Sequence, residues 1–264
     1  MSVSSEERKR RILERLGIDG KVRVPELSAA CAVSEETVRR DLLVLEKEGR
    51  VRRVYGGAVA AEPRLFEYEP PYLQRRSLHA EAKARIGRAA AGLVSTGDTI
   101  AIDVGTTTLE LARAIRGRQR LTVLTNSIAV AYELMESIQA KQFTGKIIVI
   151  GGELNPEQQS LSGVAGERML ADFRVDKAFI SIGGLSLQRG ISDYDLAEAG
   201  MSRRLIDFAD RTIVLADDSK LEREAFAHIA PLERAHTVVC NAPAPKEWLP
   251  ALTAAGLEWI VADE

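Results

Sequence analysis

Val33-Ser34-Glu35-Glu36-Thr37-Val38-Arg39-Arg40-Asp41-Leu42 reads as a tight turn followed by a helix with two adjacent arginines. Ser34 is placed to cap the helix, because its hydroxyl can accept from the backbone N–H three residues on. Val38, Leu42 and Leu45 recur at i, i+4 and i+7 and should face a core. Arg40 then points away from that core, with Arg39 and Thr37 on its flanks. This is the form of a helix that enters the DNA major groove, where the planar guanidinium fork suits guanine edges and phosphates.

The neighbouring residues complete a small module. Residues 5–16 (SEERKRRILERL) put Ile12, Leu13 and Leu16 on one side of a helix, with Ser5 as expected N-cap and Gly17 as expected terminator. A second helix, Pro25 to Cys31, opens on a proline, and Ala32-Val33 makes the turn. Gly49 is expected to end the third helix. Val51 to Val59 reads as two strand-like pieces about a Gly56-Gly57 turn, a basic wing against the phosphate backbone. The expected DNA-contacting residues are Ser34, Glu35, Thr37, Arg39, Arg40, Arg52, Arg53, Tyr55 and Gly57. A tri-helical bundle with a solvated basic face, used for protein contacts, has the same shape; the paired arginines and basic wing favour DNA.

Bulk properties agree with a small module followed by a larger domain. The 264 residues carry a net charge of −2, with 45% hydrophobic and 28% charged residues, ordinary for a globular protein. Residues 1–60 hold 13 basic against 10 acidic residues and the remainder 23 against 28, so the charge is unevenly placed. No apolar run approaches the roughly 20 residues that span a bilayer, and the N-terminus lacks a signal-peptide core, so no membrane partner and a cytoplasmic location are expected. Cys31 and Cys240 lie far apart in apolar settings and read as buried thiols. His79, His228 and His236 show no metal-ligand spacing, and neither a metal nor a cofactor is expected.

Residues 61–76 change character. Pro63, Pro70 and Pro71 interrupt any helix, while Leu65, Phe66, Tyr68 and Tyr72 suggest a linker docked through aromatics. The expected division is 1–60 for the DNA-binding module, 61–76 for the linker and 77–264 for a second domain, entered by a helix from about Ser77 to Val94.

That second domain alternates apolar runs with polar or glycine loops and helices: Thr99–Ile102 before Asp103-Val104-Gly105-Thr106-Thr107-Thr108, Leu121–Leu124 before Thr125-Asn126-Ser127, Lys146–Ile150 before Gly151-Gly152, Lys177–Ile182 before Gly183-Gly184, and Thr212–Leu215 before Ala216-Asp217-Asp218-Ser219-Lys220. The repetition predicts a mostly parallel α/β sheet whose loops collect along one ligand-binding edge. In the DVGTTT loop a glycine permits close backbone approach, three hydroxyls can donate, and the following helix N-terminus favours an anion. A plain strand-to-helix turn would look similar. Asn126 and Lys220 at equivalent loop positions add an amide and a cation, a set suited to a polyhydroxylated phosphate.

The segments VSEETVRRDL and LEKEGRVRRVYGGAV resemble the N-terminal module of the DeoR family of bacterial transcriptional regulators, with Tyr55 where that family usually has histidine. DVGTTTLELA, LTVLTNS, IIVIGGEL, GERML, VDKAFISIGGLSLQRGISD and VLADDSK follow the family's effector domain in order, so the resemblance runs from about Arg8 to Val239. It implies a winged helix-turn-helix and a sensor domain similar to ribose-5-phosphate isomerase. It also implies a dimer or tetramer on double-stranded operator DNA, acting as a repressor of carbohydrate-metabolism genes. From the likeness to the isomerase, Gly105 to Thr108 would hold the phosphate of a phosphorylated-sugar effector. Asp103, Asn126, Glu198 and Lys220 would meet its hydroxyls or phosphate, with Gly151 and Gly152 beside them. The competing expectation is an active isomerase with an appended module. However, the isomerase's Asp-Gly-Ala-Asp run is replaced here by Ser181-Ile182-Gly183-Gly184, which removes both carboxylates. Residues 139–146 are expected to form a variable surface loop.

Overall fold

The computed structural model describes residues 5–19, 21–48, 50–60 and 69–263. They fall into two compact units divided between residues 68 and 69.

The first unit packs α1 (Ser5–Asp19), α2 (Val24–Cys31) and α3 (Glu35–Lys47) with a sheet of β1 (Lys21–Arg23), β2 (Val51–Val54) and β3 (Gly57–Ala60), in the order β1-β3-β2. The spacing read from the sequence does place Val38, Leu42 and Leu45 in the core, with Ile12, Leu16, Leu27 and Val51. Ser34 Oγ accepts from Thr37 N–H at 3.2 Å, as a cap should. Ala32 takes the left-handed conformation (φ 52°) that reverses the chain after α2.

Three local expectations change. Ser5 lies inside α1 rather than before it, and its hydroxyl donates to Asp41 Oδ1 at 3.2 Å. The helix runs through Gly17 to Asp19, since one glycine weakens a helix without ending it. The hairpin turn is Tyr55-Gly56: Val54 already pairs with Gly57, and Gly56 supplies the positive φ of 76°. Gly49, Pro63, Leu65, Phe66 and Tyr68 lie outside the described residues.

An ion pair the sequence reading did not foresee joins α1 to α3. Arg8 donates to Asp41 through Nε (2.8 Å) and Nη2 (3.2 Å), and both side chains are largely buried. Asp41 therefore orients the recognition helix from its inner face.

The second unit begins before the expected boundary. Pro71 precedes a short helix α4 (Tyr72–Ser77), and Tyr72 is completely buried against Ile86 and Leu111 in the apolar core. Residues 69–76 thus pack with the second unit, because a fully buried tyrosine outweighs the helix-interrupting prolines. The expected helix over 77–94 is broken at Leu78-His79, with His79 in the left-handed conformation before α5 (Ala80–Gly92).

The core of this unit is a seven-stranded, all-parallel sheet in the order β15-β14-β12-β9-β4-β5-β6. Its strands are β4 (Thr99–Ile102), β5 (Leu121–Thr125), β6 (Gly145–Val149), β9 (Val175–Ser181), β12 (Ala209–Ala216), β14 (Thr237–Cys240) and β15 (Glu258–Val261). The crossover helices are α6 (Thr106–Ala114), α7 (Ile128–Gln139), α8 (Val164–Leu170), α9 (Leu196–Asp207) and α10 (Leu249–Ala255). The direction of winding reverses between β4 and β9, which makes their C-terminal ends a topological switch point. A hairpin of β7 (Glu153–Asn155) and β8 (Ser160–Ser162), and an antiparallel sheet β10-β11-β13 (Gly184–Ser186, Gly190–Asp193, Ala227–Ala230), are added. The 139–146 loop is anchored rather than free, because Phe143 is buried in the core.

Removing the Asp41 carboxylate takes away its ion pair with Arg8 and the acceptor of the Ser5 hydroxyl. Asp41→Ala should lower the stability of the first unit by about 2 kcal/mol, the scale of a hydrogen bond to a charged group, measured as a shifted denaturant midpoint with the second unit's transition unchanged.

Candidate DNA-reading face and candidate effector site

On the first unit, Arg39, Arg40, Arg52, Arg53 and Tyr55 are all exposed, Tyr55 completely so at the wing tip. Their electrostatic surroundings differ. Arg39 pairs with Glu35 at 2.6 Å along the helix, and Arg53 pairs with Glu46 of α3 at 2.7 Å, tying the wing to the recognition helix. Among the described residues the guanidinium groups of Arg40 and Arg52 have no partner, which leaves them available to an incoming polyanion. Gly57 is buried in β3, where a Cβ would sit 1.9 Å from the carbonyl oxygen of Val22. Its requirement is close strand packing. Ser34 and Thr37 are joined hydroxyl to hydroxyl at 2.9 Å at the helix start.

On the second unit, the parallel sheet gathers the predicted loops on one edge. Asp103 and the Gly105–Thr108 run follow β4, Asn126 follows β5, Gly151-Gly152 follows β6, and Lys220 follows β12. At the switch point a Cβ on Gly105 would lie 2.3 Å from Ser181 Oγ of β9, so this loop crosses its neighbour only as glycine. Helix α6 opens there, and the N–H groups of Thr106, Thr107 and Thr108 have no acceptor within the helix. Thr108 Oγ1 donates inward to the Gly105 carbonyl at 3.0 Å, so its hydroxyl is already engaged.

Buried polar groups surround this opening. Asp103 Oδ2 accepts from Ser202 of α9 at 2.6 Å, and Oδ1 from Val104 N–H at 2.8 Å. Burial pushes its carboxyl up to about 7 against those two bonds and the neighbouring Asn126 amide. Glu198, one turn before Ser202, accepts from Ser160 of β8 at 2.5 Å. Burial chiefly pushes it up to about 7, with the charges of Glu69 and Asp195 adding to the rise. Asp193, at the end of β11, is raised well above the ordinary range by burial and by Glu69 and Glu198. Asn126 is completely buried; its amide lies near enough to Asp103 to favour the ionised carboxyl, yet among the described residues neither its nitrogen nor its oxygen makes a hydrogen bond of good geometry. A buried amide without good hydrogen bonds is costly, and this one follows β5 on the same sheet edge as the Gly105–Thr108 loop.

Lys220 lies over the Tyr194 ring, 5.7 Å from its centroid. Asp217 nearby is pushed up by burial, but Lys220, a bond from Ser219, Lys83 and His79 outweigh that and leave it lowered. Lys83 of α5 was missed in the sequence because its helical position looks like ordinary surface. It is buried, donates to the Arg75 carbonyl at 2.7 Å, and is depressed to about 8, mainly by burial. The fold also brings His79 to Asp217 and Asp218 with potential ligand atoms within 4.8 Å of one another, a grouping no local spacing could show. Asp218 already accepts from Asn241 at 2.9 Å, and a cation there would compete with Lys83 and Lys220 for Asp217. Gly152 packs against β8, where a Cβ would meet the Ser162 carbonyl at 2.3 Å, whereas Gly151 has open space. The pair shapes the turn into the β7–β8 hairpin.

Comparison with known proteins agrees with both units. Residues 8–64 match the DeoR-like helix-turn-helix domain, and residues 78–242 match the DeoR C terminal sensor domain. The chain is 33% identical to a putative aga operon transcriptional repressor of Escherichia coli, covering 98% of this chain and 94% of that one. It is 36% identical to an uncharacterised HTH-type transcriptional regulator of Bacillus subtilis over 86% of this chain and 85% of that one. The glycerol-3-phosphate regulon repressor of Escherichia coli is 29% identical over 92% and 93%. Among solved structures, ribose 5-phosphate isomerase A of Methanocaldococcus jannaschii aligns with 54% of this chain and 55% of its own, at TM-score 0.38 and 16% identity. Among the described residues no helix is long and apolar enough to cross a membrane.

The raised carboxyls set the pH dependence of the second unit. Between pH 4 and 7 the unfolded chain has released the Asp103 proton while the folded protein retains it, so stability falls as pH rises through this window. Asp103→Asn should flatten that fall, read from unfolding midpoints at pH 5 and pH 7.5 without ligand.

Proposed function

This chain belongs to the DeoR family of transcriptional regulators, and from that premise we propose that it represses carbohydrate-metabolism genes under control of a phosphorylated sugar. The observation that carries the sensor reading is Asn126, an amide buried beside Asp103 with no hydrogen bond of good geometry at either end among the described residues. The phosphate meets the N–H groups and hydroxyls of Thr106 and Thr107 with Lys220 as counter-charge. Asn126, Asp103 and Glu198 take the sugar hydroxyls. Gly105 lets the backbone approach, and Gly151-Gly152 closes the side of the site at β6.

On the DNA side, Arg40, pointing outward from α3, reads base edges and Arg52 of the wing meets phosphate; among the described residues neither guanidinium has a partner to give up. Arg39 and Arg53 must first give up Glu35 and Glu46, and Tyr55 reaches from the wing tip. Two copies are needed because one recognition helix covers too few base pairs, and paired half-sites mirror protein symmetry. No isomerase step is assigned. Ser181 and Gly184 stand where the enzyme's carboxylates would be, and a Cβ on Gly184 would lie 2.5 Å from the Arg223 carbonyl.

Arg40→Ala should abolish discrimination between operator and unrelated duplex in a fluorescence-anisotropy titration, while Arg52→Ala should weaken both and reduce the salt slope by about 1. Unchanged discrimination by the first variant would remove the recognition-helix assignment. Lys220→Ala should keep operator affinity and lose the thermal stabilisation that a panel of phosphorylated sugars gives the parent protein. A normal ligand response in that variant would remove Lys220 from the site.

A further inference from the structure

The segment that carries the chain out of residues 61–68 and into the sensor domain is tied to both ends of the candidate site. Tyr72 N–H donates to the Glu157 carbonyl at 3.0 Å, and the Tyr72 ring is buried. Arg75 is the busiest residue of the segment. Its Nη1 meets Glu69 Oε1 at 2.6 Å and its Nη2 donates to Gln158 Oε1 at 2.6 Å, while its Nε is buried with no partner. Gln158 lies two residues before Ser160, which holds Glu198. The Arg75 carbonyl accepts from Lys83 Nζ, and Lys83 lies in the field of Asp217 and Lys220. The side chain of Arg75 therefore looks toward the Glu198 end of the site, and its carbonyl toward the Lys220 end.

The charges are balanced in a way an anionic ligand would upset. Glu69, Asp193 and Glu198 act on one another as like charges, and Arg75 opposes them. The Arg75 and Glu69 side chains are only 13% and 9% exposed, so their pair is not a screened surface contact.

We infer that Glu69–Ser77 is a latch through which the sensor acts on the linker, opened when a phosphorylated polyol draws Arg75 and Lys83 away from Glu69, Gln158 and the Arg75 carbonyl. The inference rests on the sugar-phosphate reading of the site. It adds Arg75 and Lys83 as the groups that turn occupancy into a change at residues 69–77. For the latch to respond, the ligand must prefer the open arrangement; affinity alone would not move it.

The test uses the full-length protein, a duplex selected from random DNA by the parent protein, and the variants Glu69→Gln and Arg75→Ala, with no sugar added. Hydrogen exchange should show residues 69–77 losing protection by tenfold or more while β4 and β5 remain protected. Operator affinity should shift by fivefold or more, the lower end of common coupling strengths. Glu69→Gln removes the charge at nearly constant shape and keeps the test sound if Arg75→Ala proves unstable. A segment that opens with less than a fivefold change in operator affinity would overturn the latch, and so would a segment that stays protected in both variants. The pocket is read separately, by thermal stabilisation of the parent protein with ribose 5-phosphate and glycerol 3-phosphate. Failure of the sugar-phosphate reading is thus distinguishable from failure of the latch.

Discussion

Two carboxylates and an amide are kept dry at the one place where the sheet reverses its winding, and most of the second unit's local structure serves that placement. Asp103 and Glu198 are held with hydroxyl and N–H partners and without a bonded cation. Burial costs the charged form, and both groups respond by holding their protons to near neutrality. A core selected for stability alone would fill such a space with apolar side chains. Here α9 is docked through Ser202 to Asp103, β8 through Ser160 to Glu198, and the β4 loop crosses β9 only because Gly105 has no Cβ.

The parallel sheet was legible because its strands are apolar runs followed by distinctive loops. Thr99–Ile102 matched β4 end for end, and the other four anticipated strands differed by one to three residues at their ends. The motif loops fell on one edge because parallel strands must all point the same way. What escaped was short or non-local. Strands β10, β11 and β13 are three or four residues each; β10 and β11 form a short hairpin, and β13 joins β11 only by pairing across 30 or more positions, as Asp193 with Ala227 shows. Strands β14 and β15 end without a polar motif. Lys83 looked like surface because helical spacing alone does not reveal α4 lying over it. Asp41 sat in the most closely read segment, yet its partner Arg8 lies 33 residues earlier.

The domain boundary was misplaced for a related reason. Pro70 and Pro71 punctuate the chain, and punctuation reads as linker. In the folded protein Pro71 is the residue from which α4 starts, and Tyr72 enters the core beside it. Composition reports where a helix is interrupted; whether the following residues pack is decided by a cavity elsewhere in the sequence.

That shift in boundary alters how control can work. If residues 69–76 were a free tether, occupancy of the sensor could reach the DNA-reading unit only through changes elsewhere. With Glu69 and Arg75 embedded beside Asp193 and Glu198, the covalent connection itself starts inside the electrostatics of the site. Neutralising or recruiting any one of these charges changes the energy of the others, since they share a poorly solvated corner. The same argument requires reciprocity: if ligand loosens the segment, DNA that favours the latched form must weaken the ligand by the same factor. On the proposed reading the arginines of α3 set how tightly the groove is held. Arg75, on the far side of the linker, is placed to make that grip depend on the sugar.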